Sequence, residues 1–273
     1  MFKTRLLSGI VLVILAIVFI GFGGELLAAG MGFISLVGMY ELYRVFKMER
    51  SLLANVCYVA ALAYYIALIW DWNPVAGGSA VFVFGIAVFL ICILAIYVFS
   101  YPKYKADQIM AAFFGFFYVA LMLSYVFFTR ELERGAYLVW LIFVCSWGCD
   151  TCAYCVGKLF GKHKMAPVLS PKKSIEGACG GVLGAMLLTL LLGFVFRSHM
   201  DVSVSEILLL AAGSGLGGLI SMVGDLAASA IKRNYDIKDY GTLIPGHGGI
   251  LDRFDSMIIT APIVYYLCVF ALA

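Results

Sequence analysis

The chain has 273 residues, of which 64% are hydrophobic and only 13% charged, against roughly 45–50% and about 25% in soluble domains. A mean hydropathy of +1.03 agrees. These values exclude a soluble globular protein, a disordered chain and a disulfide-stapled secreted module, and specify a polytopic, all-α integral membrane protein. The net charge of +3 is small, so its distribution along the chain carries more information than its sum.

Apolar stretches long enough to cross about 30 Å of hydrocarbon predict nine spans: about 6–22, 26–46, 52–70, 79–99, 108–128, 136–157, 178–196, 206–230 and 253–272. Lys3 and Arg5 before the first apolar run resemble a signal peptide, but eight further spans favour an uncleaved first helix. With the N-terminus in the cytoplasm, 16 of the 19 Lys and Arg residues fall inside, leaving Arg130, Arg134 and Arg197 outside. This asymmetry satisfies the positive-inside rule and places the C-terminus outside. Residues 1–130 read as N-terminal scaffold helices, and 131–273 as a catalytic membrane region. Its longer cytoplasmic loops, 158–177 and 231–252, hold most of the polar residues that topology leaves unexplained.

Of the eight cysteines, Cys149, Cys152 and Cys155, with Cys145 one turn earlier, have a spacing reminiscent of metal ligands. On a helix they form a small-residue stripe instead, and no second ligand cluster accompanies them. The Gly177-x3-Gly181 and Gly213-x3-Gly217 spacings let helix backbones approach closely in lipid.

Asp150 and Asp225 lie inside predicted spans, where a carboxylate costs about 2.5–3.5 kcal/mol and needs a partner or a wet cavity. Lys158 is the sequence-adjacent partner for Asp150. Ser221, Asp225 and Ser229 recur every four residues, which puts three oxygen-bearing side chains on one helical face.

The loop after them is denser. Lys232, Arg233, Lys238, His247 and Arg253 alternate with Asp236, Asp239, Asp252 and Asp255. Asp252 and Asp255 share a face of a helix starting near 250; with Asp225 on a neighbouring helix they make a hard-oxygen set suited to Mg²⁺. Gly248 and Gly249 let backbone N–H groups approach a phosphate, and the surrounding cations suit polyphosphate charge. In the earlier loop, Ser170, Lys172, Lys173 and Ser174 repeat this chemistry in milder form.

The run Ser229, Lys232, Arg233, Lys238, Asp239, Gly241, Ile244, Pro245, His247, Gly248, Gly249, Ile250, Asp252, Arg253, Phe254, Asp255 resembles the signature of the phosphatidate cytidylyltransferases, the CDP-diacylglycerol synthases. The stretch Ser170 to Gly177 is similar to a second family motif, with Ser174 where Thr is usual. Asp150, Thr151, Ala153, Tyr154 and Gly157 resemble a third segment. The resemblance implies the reaction CTP + phosphatidate → CDP-diacylglycerol + pyrophosphate at the cytoplasmic face of the cell membrane. It also implies dependence on Mg²⁺ with K⁺ as a second cation, a homodimer among membrane lipids, and no nucleic-acid partner. On this reading Asp225, Asp252 and Asp255 serve the metals. Lys232, Arg233, Lys238 and Arg253 contact triphosphate or phosphatidate, and His247 donates to the leaving pyrophosphate. Ser229, Gly248, Gly249, Ser170, Lys172 and Lys173 bind substrate.

Two rival readings use the same residues. A CTP-using lipid kinase transfers the γ-phosphate, so its product lacks cytidine. In a transporter Asp150 and Asp225 bind a coupling ion, although such proteins often show internal repeats and none is visible here. The Asp-Gly-x2-Ala-Arg pattern of CDP-alcohol phosphotransferases is absent. An odd number of spans is testable directly: reporters fused to the two ends are expected to read opposite sides of the membrane, and the same side for both would remove one span.

Overall fold

In hydrocarbon every backbone N–H and C=O must be satisfied within its own segment, so apolar runs of this length fold as helices. The computed structural model describes residues 2–70, 79–246 and 248–272. Its long helices are α1 (Phe2–Phe22), α2 (Gly24–Val45), α3 (Leu52–Ile69), α4 (Ser79–Phe99), α5 (Ala106–Glu131), α6 (Gly135–Phe160), α7 (Ile175–Val195), α8 (Val204–Asn234) and α9 (Leu251–Ala271). Among the described residues, seven of them (α2, α3 and α5–α9) are long and apolar enough to cross a membrane; α1 and α4 contribute the shorter apolar stretches Leu7–Phe22 and Val83–Phe99.

An addition to the all-helical expectation lies in the loop between α6 and α7. Strands β1 (Lys164–Ala166) and β2 (Ser170–Ser174) pair antiparallel, with Lys164 opposite Ser174. The second loop is shorter than expected, because α8 continues to Asn234 and α9 starts at Leu251. At 1.5 Å per residue the 31 residues of α8 span about 46 Å, more than the hydrocarbon thickness of about 30 Å, and Lys232 and Arg233 lie in its last turn.

The chain forms two units: residues 1–127 with 240–251, and residues 128–239 with 252–273. In the first, α2 is the buried hub, packed by α1, α3 and α5. Its interior is rich in tyrosine, and each hydroxyl that finds a partner avoids the cost of a bare polar group. Tyr43 donates to the Ala112 carbonyl at 2.7 Å and Tyr65 to the Ala120 carbonyl at 2.9 Å. Tyr65 also meets Ser35, and Tyr64 meets Ser124, both at 2.8 Å. The Ala120 carbonyl lies in a π-helical stretch of α5, Phe116–Leu121, where the widened turn loosens the usual backbone pairing.

In the second unit α7 is two-sided. Gly177, Gly181, Ala185, Thr189 and Gly193 recur every four residues and are buried, whereas Leu183, Leu187 and Leu191 are exposed, as a lipid-facing side requires. The small stripe receives α6 and α8. A side chain at Gly181 would come within 2.9 Å of Cys149 and Met222, and one at Gly184 within 2.5 Å of Cys152. Cys149 and Cys152 are thus packing surface, whereas Cys155 is exposed, and Cys149 also meets the Gly218 carbonyl at 3.7 Å. A second π-helical stretch, Val144–Gly148, shifts the register of α6 just before Asp150.

Ala at position 115 gains about 0.5–1 kcal/mol of helix propensity, but its Cβ would stand 2.4 Å from the fully buried Tyr43 ring. Overpacking of about 1–3 kcal/mol outweighs the gain, so Gly115→Ala is expected to lower the melting temperature in detergent, and an unchanged or raised one would count against this packing.

Candidate active site

Where α6 ends and α7 begins, the second unit encloses a cavity of about 520 Å³. Lys158, Lys164, Lys172 and Lys173 line it together with Asp150 and Asp225. Tyr154, Gly157, Ser174 and Gly177 complete the wall on the loop side. Cations from the end of α6 and from both strands therefore converge on two carboxylates drawn from α6 and α8.

Local chemistry builds this wall. Ser174 caps α7, its Oγ accepting the Gly177 N–H at 3.1 Å; the hydroxyl read from sequence as a phosphate contact thus has a structural role as well. Glu176, in the first turn of the helix, accepts from the Lys162 N–H at 3.1 Å and the His163 N–H at 3.2 Å, and meets His163 Nδ1 at 2.6 Å. The hairpin is fastened to the helix start by one carboxylate. Gly177 and Gly157 face each other closely enough that a Cβ at Gly177 would approach the Ala153 carbonyl to 2.8 Å, which holds the two cavity-lining helices together.

The charges inside are paired. Lys173 Nζ lies 2.6 Å from Asp225 Oδ2, and Ser229 Oγ, on the same helical face, donates to Asp225 Oδ1 at 3.4 Å. Asp150 is hydrogen-bonded to Ser256 and lies in electrostatic reach of Asp225, Lys173 and Arg253. Its partner is therefore Ser256 from α9, where sequence adjacency had suggested Lys158. Lys232 and Asp252, both more than nine-tenths buried, meet at 2.8 Å. Asp255 is equally buried; it accepts the Ser256 N–H at 2.7 Å and feels Asp225, Lys232 and Asp150. The Arg253 carbonyl accepts from Trp147 Nε1 at 3.1 Å, which ties the first turn of α9 to the π-helical stretch of α6.

The remaining sequence-predicted residues are more dispersed. Ser170 opens β2, half-buried, opposite Ala166. Arg233 and Lys238 are exposed, and Arg233 reaches the Ile237 carbonyl at 3.4 Å. Gly248 and Gly249 belong to the first unit, where Gly248 forms a bridge with Ile244 and takes a positive φ of 93°. His247 lies outside the described residues. Asp150, Lys158, Lys164 and Glu176 had not been assigned to the site; for Asp150 and Glu176 the available signal was their place in motif-like segments.

Among the described residues, no three His, Cys, Asp or Glu side chains form a group able to hold a metal ion alone. Mg²⁺ usually takes one or two carboxylates and completes its shell with substrate phosphates and water. Asp150, Asp225 and Asp255 lie within electrostatic reach of one another, and oxygen donors of this kind fit that chemistry.

Removing one partner of a buried ion pair strands the other, at about 3–5 kcal/mol. Lys232→Met is therefore expected to melt well below the parent protein, while Lys232→Met/Asp252→Leu recovers most of the loss; equal melting of the single and double variants would deny the pair.

Comparison with known proteins adds a separate line of information. The model of the "Cytidylyltransferase family" matches residues 3–271. A protein of Bacillus subtilis (strain 168) named "Phosphatidate cytidylyltransferase" is 31% identical over 271 residues, covering 97% of each chain. Proteins of the same name from Staphylococcus aureus (strain COL) and Staphylococcus epidermidis (strain ATCC 12228 / FDA PCI 1200) are 30% and 29% identical, each over 98% of this chain and 99% of the relative.

Proposed function

Because the chain belongs to the cytidylyltransferase family, we propose that it transfers the cytidylyl group of CTP to phosphatidate, giving CDP-diacylglycerol and pyrophosphate. The observation that carries this reading is the cavity that gathers Lys158, Lys164, Lys172 and Lys173 around Asp150 and Asp225. Cationic walls suit two polyanionic partners, and an apolar helical setting suits a substrate whose tails stay in lipid.

A phosphate monoester with a second pKa around 6 is largely dianionic at neutral pH, so phosphatidate attacks with little help from a base. The obstacle is repulsion between that anion and the nucleotide triphosphate. An oxygen of the lipid phosphate forms a bond to the α-phosphorus as the bond from that phosphorus to the oxygen bridging the β-phosphorus breaks. The electron pair leaves with pyrophosphate, in line with the attack. Lys172 and Lys173 bind phosphate oxygens from the hairpin, with Ser170 at its edge. Ser229 and Arg253 serve substrate oxygens, and Gly248 and Gly249 offer backbone N–H groups. Lys232, Arg233 and Lys238 balance developing charge, and His247 donates to the departing pyrophosphate.

Asp225, Asp252 and Asp255 are the proposed ligands for Mg²⁺, with Asp150 beside them and K⁺ as a second cation. Mg²⁺ supplies charge neutralisation at the phosphoryl oxygens. The complete topology is nine spans with the N-terminus inside, which puts the cavity at the cytoplasmic face of the cell membrane. The working form is a homodimer.

Purified protein supplied with phosphatidate, Mg²⁺ and CTP labelled separately at the α- and γ-phosphates tests the reading. Label from the α position is expected in the lipid, falling on the order of 10²-fold or more in Asp252→Asn. Label from the γ position would make this a lipid kinase, and none from either, with the fold intact, would favour a transporter.

A further inference from the structure

Glu41 lies near the end of α2, far in sequence from every motif, and is 4% exposed. A carboxylate so deeply placed in a membrane helix needs a specific reason. Its Oε1 accepts the Ile250 N–H at 3.1 Å and its Oε2 accepts the Leu251 N–H at 2.8 Å. These N–H groups open α9, where the helix has no backbone acceptors of its own to offer and where negative charge is favoured. Asp252 is the next residue in the chain.

Two signature glycines face the same carboxylate. A Cβ at Gly241 would stand 2.1 Å from Glu41 Oε1, and one at Gly249 would stand 2.4 Å from both oxygens. Gly249 thus makes room for a side chain from α2 in addition to any approach to phosphate. One turn after Glu41, Arg44 donates to the Tyr240 carbonyl, at the opposite end of the segment. Between these anchors the segment closes on itself, Ile244 N–H to the Gly248 carbonyl at 2.8 Å and Gly248 N–H to the Ile244 carbonyl at 3.1 Å.

We propose that Glu41 is a positioning residue for the transfer reaction: it fastens the glycine-rich signature segment 240–251 by its backbone and fixes where the helix carrying Asp252 begins. This rests on the function proposed above for its catalytic consequence, but not for the anchoring itself. Loss of a residue that orients reacting groups from behind typically costs 10–100-fold in activity.

The test compares the full-length protein with Glu41→Gln and Glu41→Ala in detergent. In Glu41→Ala, hydrogen exchange at the Ile250 and Leu251 amides is expected to rise at least about tenfold while peptides of α7 and α8 are unchanged. The rate constant kcat is expected to fall about 10–100-fold with KM for CTP within about twofold, and Glu41→Gln, which keeps one acceptor, to fall between. Gly249→Ala is expected to cost less activity in the Glu41→Ala background than in the parent, because the collision is gone. Unchanged exchange at Ile250 and Leu251, exchange raised equally across the whole protein, or strictly additive Glu41 and Gly249 effects would each overturn the proposal. If the parent protein transfers no cytidylyl group, the catalytic role falls with the parent reading. The exchange measurement still separates that failure from a failure of the anchoring.

Discussion

Charge buried in a membrane protein must be neutralised where it sits, and most of the polar architecture here follows from that. Lys232 with Asp252, buried, and Lys173 with Asp225, half-buried, bring ammonium and carboxylate to hydrogen-bond distance within the helical unit. A surface pair of this kind contributes little; a buried one costs desolvation and is strongly felt when broken. Such pairs are weak sources of stability, but they hold reactive groups in defined places. Side chains held in this way are oriented in advance, which is the condition under which electrostatic assistance is most effective.

Both polar loops are secured in the same manner. Glu176 collects the backbone N–H groups of Lys162 and His163, and Glu41 collects those of Ile250 and Leu251. In each case one carboxylate satisfies donors that no helix or sheet ladder serves, and offsets the entropy of ordering a loop. The backbone beside the lysines and glycines of these loops is thus held by carboxylates that belong to other elements of the fold.

Much of this was legible in the amino-acid order, and the limits were physical. Hydropathy located the apolar helices because burial in lipid is a property of composition over some twenty residues. The four-residue spacing put Asp225 and Ser229 on one helical face, where they meet in a hydrogen bond, because that placement depends only on helix geometry. The small-residue stripe of α7 was visible for the same reason. The hairpin of residues 164–174 was not, because its strands are short and polar and lack the apolar alternation that marks a half-buried strand. Asp150 was matched with its sequence neighbour Lys158, whereas the folded chain supplies Ser256. Glu41 had no local signal at all: its partners lie 209 and 210 residues away, and an isolated acidic residue near a helix end reads as interfacial.

The space around Glu41 also limits how this protein can change over time. Position 41 and positions 241 and 249 occupy one volume, because a methyl group at either glycine would overlap the carboxylate. No single substitution at a glycine is neutral while the longer side chain remains, and shortening residue 41 first leaves two helix-opening N–H groups without their acceptor. Drift at these three sites therefore has to pass through an impaired intermediate. That links the history of a helix in the opening part of the chain, which carries no recognisable motif, to that of the most motif-rich segment near its end.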